Sequence, residues 1–291
     1  METWLILSIT AIIMYGSSMV VQKLSLNDLS AASMILFSLL IAFPMYLAIL
    51  VALVVTGEIW TLGLDYFAYG IVGASFGQIG YYTYVEAAKR GPVSIVGSAT
   101  ASYPVMVVIV AIVFLGETMS LLQGLGVIII MSSIIALSYL HERSEAKGPA
   151  SAGYYVICIV TVLLWGLWAI FTKLALIGMS NFAFMATYAF VVPPMTYAYY
   201  AMTRVKIRSA WPKWGGAVKL AIVSSIVGNS AFFVEIAAID QGPAAIVFPL
   251  VASTPVIVVL LAFAFLRERL SRGEWLLVGG FILGIIFVST V

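Results

Sequence analysis

Residues 91–117 read GPVSIVGSATASYPVMVVIVAIVFLGE, and residues 242–268 read GPAAIVFPLVASTPVIVVLLAFAFLRE. Both stretches begin with Gly-Pro, carry a central proline (Pro104 and Pro255) and end on a glutamate, all at an offset of 151 residues. Prolines and charges are scarce in so apolar a sequence. Their return in the same order therefore indicates an internal duplication.

The duplication extends over most of the chain. It predicts a first repeat over residues 1–140, a connecting loop over 141–153 and a second repeat over 154–291. The offset changes by one residue, from 150 to 151, within a loop. The further matched pairs are Tyr15-Gly16 with Trp165-Gly166, Lys23 with Lys173, Pro44 with Pro194, Gly77-Gln78 with Gly228-Asn229, Ser102 with Ser253, and Ser120 with Ser271.

The composition predicts an all-α, polytopic membrane protein. The chain is 63% hydrophobic and 9% charged, with a mean hydropathy of +1.14, whereas an ordinary globular domain has about 25% charged residues. Its apolar runs are continuous and long enough for helices, without the alternation of barrel strands. Ten spans are predicted, at 4–22, 30–55, 66–88, 93–114, 120–140, 154–176, 181–202, 217–238, 244–265 and 274–290.

Each repeat holds five of these spans, and the odd number has a topological consequence. A five-span segment begins on one side of the membrane and ends on the other, so the second repeat must be inverted relative to the first. Inverted repeats of this kind are typical of secondary transporters, which bind substrate between the halves near the bilayer midplane.

Several other classes of protein do not fit. The net charge of +2 gives no basic patch for nucleic acid, and the lone Cys158 excludes an intramolecular disulfide. The only histidine, His141, lies in the central loop, and no aspartate pair falls inside a span, so an intramembrane enzyme, a metal site or a cofactor is not expected. The sequence also shows no ring of charged residues of the kind that lines a channel, so a channel is not expected. The expected partners are the lipid bilayer and a small-molecule substrate, with the protein a monomer or homodimer.

The distribution of basic residues predicts the orientation. Only Lys173 falls on the side of the two termini. The positive-inside rule then places the termini outside the cell membrane. The other thirteen basic residues follow spans 1, 3, 5, 7 and 9, and they are Lys23, Lys89, Arg90, Arg143, Lys147, Arg204, Lys206, Arg208, Lys213, Lys219, Arg267, Arg269 and Arg272.

Polar residues inside the membrane are the leading site candidates, because each is costly unless it is paired or hydrated. In span 3, Gln78, Tyr82 and Glu86 recur every four residues on one helical face, with Tyr81 beside them. Gln78, Tyr81 and Tyr82 are predicted to bind substrate, and Glu86 is a candidate for gating or coupling. Alternatively, Glu86 pairs with the basic residues three and four positions later.

In span 8, Glu235 follows Asn229 and Phe233 and has no basic residue close in sequence, so its partner must come from elsewhere. Asn229, Phe233 and Glu235 are predicted to bind substrate, and Glu235 is a candidate to bind a substrate ammonium or carry a coupling proton. The alternative is an interfacial carboxylate near Asp240. Asn229 lies about 120° from Glu235 around the helix, so one small ligand need not touch both.

The first helix of each repeat carries a lysine, Lys23 or Lys173, and the inversion sends the two toward opposite membrane faces. Each is either a gate for an anionic substrate group or an interfacial side chain that reaches toward water. Upstream aromatic residues, Tyr15 in span 1 with Trp165 and Trp168 in span 6, are candidates to flank an apolar or cationic ligand.

The central prolines are predicted to kink spans 4 and 9. Pro104 and Pro255 each free a carbonyl four residues earlier, which neighbouring hydroxyls can satisfy. Either the kink serves helix packing, or it lines a wet cavity. The candidates to line such a cavity are Ser98, Tyr103 and Ser253.

Glycines are a weaker signal. Gly70, Gly73, Gly77 and Gly80 form a stripe in span 3 that predicts a closely packed neighbour. The pair Gly280 and Gly284 in span 10 fits either intramolecular packing or dimerisation.

Together these residues resemble the drug/metabolite transporter superfamily, specifically its EamA-type ten-helix members, over essentially the whole chain. The resemblance rests on the order and duplication of several short motifs. These are Tyr15-Gly16 with Lys23, Trp165-Gly166 with Lys173, the turns Gly91-Pro92 and Gly242-Pro243, Pro104 and Pro255, and the turns Gly116-Glu117 and Arg267-Glu268.

The resemblance implies a central cavity surrounded by spans 1, 3, 4, 6, 8 and 9, with alternating access by rocking of helix pairs. Such proteins move amino acids, other small metabolites and lipophilic compounds. The chain lacks the first-helix glutamate of the short multidrug relatives, so proton-coupled drug antiport by that route is not implied. Two substrate classes stay open: an amino-acid-like or amphipathic metabolite that is exported or allowed to equilibrate, and an organic cation.

Overall fold

The computed structural model describes residues 2–90, 102–145, 152–266 and 270–289, and within these ranges every regular element is helical. The elements agree with the predicted all-α fold and with its ten spans; the start of span 4 lies outside the described residues. The helices are α1 (Thr3–Asp28), α2 (Ala31–Thr56), α3 (Leu64–Arg90), α4 (Pro104–Phe114), α5 (Leu121–Glu145), α6 (Ala152–Leu176), α7 (Asn181–Thr203), α8 (Gly216–Gln241), α9 in two segments (Ala244–Val251 and Thr254–Leu266) and α10 (Arg272–Val288), with single turns at Glu58–Thr61 and Ile207–Ala210.

The bundle is suited to lipid. Five of the described helices, among them α1, α2, α6 and α8, are long and apolar enough to cross a membrane by length and composition. Large apolar side chains face outward, and Val55 and Leu121 are at least 80% exposed. A water-soluble protein of this size rarely leaves so much apolar surface uncovered. The protein is an integral membrane protein with several spans.

The two repeats pack against each other through equivalent helices. The most extensive contacts join α1 to α8 and α3 to α6, followed by α5 to α10 and α2 to α7. Because α6 is the copy of α1 and α8 is the copy of α3, the first two contacts are one interface that occurs twice. This reciprocity is what a pseudo-twofold axis between the repeats requires, and the odd span count makes the repeats inverted.

Equivalent helices of the two repeats also begin with the same N-terminal cap. Ser30 begins α2 by accepting a hydrogen bond from the backbone N–H of Ser33 at 3.0 Å, and Ser180 begins α7 in the same way with Ala183 at 3.2 Å. Each serine satisfies an N–H that the first turn of a helix leaves unpaired. The matched residues therefore specify the same local structure in both repeats.

Glycines allow the closest helix contacts. A Cβ on Gly16 would lie 2.7 Å from Cβ of Ile257, and one on Gly166 would lie 2.9 Å from the sulfur of Met106. These are equivalent contacts of the two repeats, since Met106 and Ile257 differ by 151 positions.

The predicted glycine stripe also packs against helices. Gly73 and Gly80 face Phe171 and Trp165 of α6. Gly284 of α10 faces Ile130 of α5, so this glycine packs within the chain.

Candidate functional site

A cavity of about 230 Å³ lies at the centre of the bundle. Residues of α1, α3, α6, α8 and α9 form its wall together with Tyr103 directly before α4, as the resemblance implied. Ser38 and Tyr46 of α2 and Tyr188 of α7 complete it. Its aromatic lining is Tyr15, Tyr46, Tyr81, Tyr84, Tyr103, Trp165, Trp168, Tyr188 and Phe232, and its polar lining includes Ser18, Gln22, Ser38, Gln78, Ser224, Ser225, Asn229, Glu235 and Thr254.

The structure brings together most of the predicted binding residues. Tyr82, Phe233 and Ser253, also predicted to bind substrate, lie outside this lining, and Ser98 lies outside the described residues. The predicted residues that do line the cavity are Tyr15, Gln78, Tyr81, Tyr103, Trp165, Trp168, Asn229, Glu235 and the helix-break residue Pro255.

Glu235 is the only charged residue in the described lining. Its side chain is 3% exposed, and Oε2 accepts a hydrogen bond of 2.6 Å from the hydroxyl of Tyr15 in the other repeat. A buried interior carboxylate does not fit the alternative of an interfacial group beside Asp240. A carboxylate here can bind a cationic or hydrogen-bond-donating group, because one strong neutral donor leaves most of its acceptor capacity unused.

Asn229 has a different role, because its amide is already engaged. Its Nδ2 donates to the backbone oxygen of Ser225 at 2.7 Å, and its Oδ1 accepts from the hydroxyl of Tyr46 at 2.9 Å. These bonds fix the amide and orient Tyr46 in the wall. Asn229 and Glu235 both line the cavity, although they lie on different sides of α8.

Two buried polar groups in the wall have no hydrogen-bond partner among the described residues. They are the indole Nε1 of Trp168 and the hydroxyl of Ser225, whose side chains are 6% and 5% exposed. Both atoms have almost no accessible surface, so neither is exposed to the cavity.

Only part of the polar face of α3 lines the cavity. Gln78 lines the cavity. One turn later, Tyr82 forms a 2.6 Å hydrogen bond with Thr196 of α7. Another turn on, Glu86 accepts a hydrogen bond from Tyr199 at 2.5 Å and forms an ion pair with Arg90 at 3.0 Å. Every fourth residue rotates by about 40° around a helix, which carries the later members away from the cavity.

Neither gate candidate on the first helices lines the cavity. Lys173 donates to the backbone oxygens of Ile239 at 3.3 Å and Gly242 at 3.1 Å, where α8 ends. It also pairs with Glu117 at 3.5 Å. In the first repeat, Lys23 donates to the oxygen of Ala88 at 3.3 Å. Each lysine therefore binds carbonyl groups near the end of a helix, where a cation is favoured.

Glu117 completes the arrangement around Lys173. Its two carboxylate oxygens accept from the backbone N–H groups of Ala244 and Ala245 at 3.0 and 2.9 Å, in the first turn of α9. We call Glu117, Lys173 and the turn between α8 and α9 the Glu117–Lys173 tie. It joins the segment between α4 and α5 of the first repeat to α6 and to the turn between α8 and α9 of the second.

The break in α9 lies at the cavity. The helix stops at Val251 and resumes at Thr254, and Pro255 lines the cavity. The hydroxyl of Thr254 donates to the oxygen of Val251 at 2.8 Å, so the carbonyl released by the proline has a partner. In the first repeat, Pro104 begins the described part of α4 and does not line the cavity.

The sequence as a whole matches a known family of membrane transporters. The profile of the EamA-like transporter family matches residues 2–139 and 152–290, one domain in each half of the chain. The chain belongs to the EamA-like transporter family. It is thereby a membrane transporter of the drug/metabolite transporter superfamily.

The fold of this EamA-like protein is shared with a solved crystal structure of another protein. The two superpose with a TM-score of 0.74 over 99% of this chain and 96% of that chain, at 16% sequence identity. Identity this low shows the common fold alone. No curated protein matches the sequence significantly.

Some wall residues of this EamA-like transporter were not predicted from its sequence. Gln22 is an intramembrane amide, so the rule that selected Gln78 applies to it equally. Tyr84 aligns with Glu235 between the repeats, which was a usable signal. Ser18, Ser38, Tyr46, Ser224, Ser225 and Phe232 carry no comparable signal, because hydroxyl and aromatic side chains are common in membrane helices.

Proposed function

We propose that this EamA-like protein is a secondary transporter that carries a small amine-bearing metabolite, amino-acid-like or amphipathic, as an exporter or facilitator. The observation that carries the proposal is the buried carboxylate of Glu235 in an aromatic-lined cavity between two inverted repeats. A carboxylate there offers a specific site for an ammonium group, and the aromatic faces accept its apolar body.

We further propose alternating access, and the architecture of the interface between the repeats supports it. The equivalent pairs α1–α8 and α3–α6 flank the cavity. Rocking of one pair against the other would move the cavity opening from one membrane face to the other. The Glu117–Lys173 tie joins the two pairs at one end, since Lys173 belongs to α6 and the carbonyls that it binds end α8.

An organic cation without a carboxylate is a second candidate substrate. The described lining contains no lysine, arginine or histidine. The carboxylate of a zwitterion would therefore meet only neutral donors, whereas a monovalent cation would neutralise Glu235.

The orientation proposed from the basic residues places the termini outside the cell membrane. A reporter enzyme that is active only in the cytoplasm, fused after Val291, should be inactive. An active fusion would reverse the orientation and leave the carrier mechanism untouched.

Transport in proteoliposomes tests the mechanism. The expected result is uptake that saturates with substrate concentration and accelerates when unlabelled substrate is trapped inside, because a carrier exchanges faster than it returns empty. Electrical conductance far above carrier turnover would instead identify a channel.

A thermal-shift screen against amino acids, nucleosides and quaternary amines tests the substrate class. Amines should raise the unfolding temperature, and Glu235→Gln should remove that rise. Stabilisation by quaternary amines alone would favour the second candidate. Stabilisation by nucleosides but by no amine would contradict both.

A further inference from the structure

We propose that the connection between α7 and α8 is a binding site for the headgroups of anionic phospholipids. The inference concerns the surface of the bundle, so it does not depend on the transported substrate or on Glu235. We call residues 204–219 the basic segment. Its five basic side chains are Arg204, Lys206, Arg208, Lys213 and Lys219.

The first observation is that the protein does not balance the positive charge of the basic segment. All five basic residues are exposed, and none forms an ion pair with a described residue. The sequence has no aspartate or glutamate between Glu145 and Glu235. At the same end of the bundle, Asp28 ends α1, and Glu86 is already paired with Arg90 at 3.0 Å. The segment therefore offers a net positive charge to a partner from outside the chain.

The second observation places the segment at the level of the membrane interface. The segment turns back along α2, where Ala210 is buried in a cluster with Ala32 and Leu36. The ring of Trp211 lies 6.1 Å from that of Phe37, which is six residues after the start of α2, about 9 Å along the helix axis. The basic side chains are therefore held beside the ends of membrane-spanning helices, at the level of the lipid headgroups.

The third observation concerns large apolar side chains within the same segment. Trp211 is 60% exposed and Trp214 is 72% exposed, and Ile207 is about half-exposed. Tryptophan is favoured at the membrane interface, because its ring is apolar and its N–H is polar. Basic side chains in this position attract anionic headgroups. A soluble anion would use the charges and leave the indole rings in water, whereas a phospholipid contacts both.

The equivalent connection of the first repeat provides an internal comparison. Residues 57–63, between α2 and α3, include Trp60, which is 79% exposed. They also include Glu58, but no lysine or arginine. Because the repeats are inverted, the two connections lie on opposite faces of the membrane. Both connections thus carry an exposed tryptophan, and only the basic segment adds the charges that select an anionic lipid.

Native mass spectrometry of the full chain in a neutral detergent tests the proposal with phosphatidylglycerol and phosphatidylcholine of identical acyl chains. We expect the first phosphatidylglycerol to bind about 25-fold more tightly, the ratio given by two basic side chains at about fivefold each. Inorganic phosphate at the same concentration should not displace it, because the acyl chains and indole rings add to the binding. Equal affinity for the two lipids would overturn the proposal, as would displacement by inorganic phosphate.

Two variants assign the lipid preference to the basic segment. The glutamine variant combines Arg204→Gln, Lys206→Gln, Arg208→Gln and Lys213→Gln. The matched control combines Arg204→Lys, Lys206→Arg, Arg208→Lys and Lys213→Arg. The glutamine variant should bind the two lipids equally, whereas the control keeps its charges and should keep the preference. A preference that survives in the glutamine variant would overturn the proposal, and its loss from the control would contradict recognition by charge.

Hydrogen exchange of the unaltered chain locates the lipid without any substitution. Compared with phosphatidylcholine, phosphatidylglycerol should slow the exchange of backbone N–H groups in residues 204–215 and leave residues 57–63 unchanged. Equal protection of both connections, or protection of neither, would count against the basic segment. None of these outcomes bears on the amine site, because Glu235 lies inside the bundle and is tested with different ligands.

Discussion

Two residue pairs that occupy equivalent positions in the repeats lie on opposite sides of the cavity, and they interact in different ways. In one pair, the hydroxyl of Tyr15 on α1 donates to Glu235 on α8 at 2.6 Å. In the equivalent pair, Trp165 on α6 stacks on Tyr84 on α3, with ring centroids 5.5 Å apart and an interplanar angle of 29°. Duplication thus gave the positions, and later divergence gave one polar and one aromatic side. The two pairs therefore present different chemical groups to the two sides of the cavity.

The ends of the same helices have kept their symmetry. Lys23 donates to Ala88 and Lys173 donates to Ile239, each at 3.3 Å, and both the lysines and the acceptors are equivalent residues of the two repeats. Contacts that hold the helices together are therefore shared, whereas contacts that face the cavity are not. The predictions below test this division.

The largest effect is expected at the polar pair. Glu235→Gln should lower the affinity for an amine substrate about 10–100-fold, because a charge-assisted hydrogen bond becomes a neutral one. Glu86→Gln is the matched control, since Glu86 is a carboxylate of the equivalent helix that lies outside the cavity lining. Binding isotherms of both variants measure the two losses of affinity. Equal losses would show that the cavity carboxylate has no special role.

Next in size is the packing of the first helix of each repeat. Gly16→Ala should destabilise the protein by about 2 kcal/mol, because an added methyl group overlaps the β-branched Ile257, which has few alternative rotamers. Gly166→Ala should cost less, because its neighbour Met106 is flexible. Denaturant titration in detergent measures both. If Gly166→Ala destabilised the protein more than Gly16→Ala, the spacing of the helices, rather than the rigidity of the neighbouring side chain, would determine the loss of stability.

A smaller effect is expected for the Glu117–Lys173 tie. The two side chains are 15% and 21% exposed, so their coupling should be about 1 kcal/mol, between that of a surface and a buried pair. A double-mutant cycle with Glu117→Gln and Lys173→Met measures it. A coupling energy of zero would show that the residues act through the helix ends alone.

The smallest difference is expected between the helix starts. Ser30→Ala and Ser180→Ala should each cost about 1 kcal/mol through loss of an N-cap. Ser180→Ala should cost a few tenths more, since the Ser180 hydroxyl also donates to the carboxylate of Glu58 at 2.7 Å, whereas the second partner of Ser30 is the neutral hydroxyl of Ser33 at 2.8 Å. Thermal unfolding of the two variants in one detergent compares them. A lower cost for Ser180→Ala would count against a stabilising role of the Glu58 contact.

The sequence was sufficient for the fold because membrane spans and repeated prolines are local signals. It was less informative about the site, because helix rotation and tertiary packing decide which side of a helix meets the cavity. Tyr82 and Gln78 share a helical face, yet Tyr82 bonds to Thr196 of α7. Ser225 lines the cavity, yet nothing in the sequence distinguishes it from the other serines of the membrane helices.

The reciprocal interface also bears on how the chain is synthesised. The main partner of α1 is α8, which begins nearly 190 residues after α1 ends. At typical translation rates that interval is roughly 10–40 s. The polar side chains of α1, Gln22 among them, therefore enter the bilayer well before the helix that covers them exists. The nascent first half has to be protected during that interval, by the insertion machinery or by temporary contacts among its own helices.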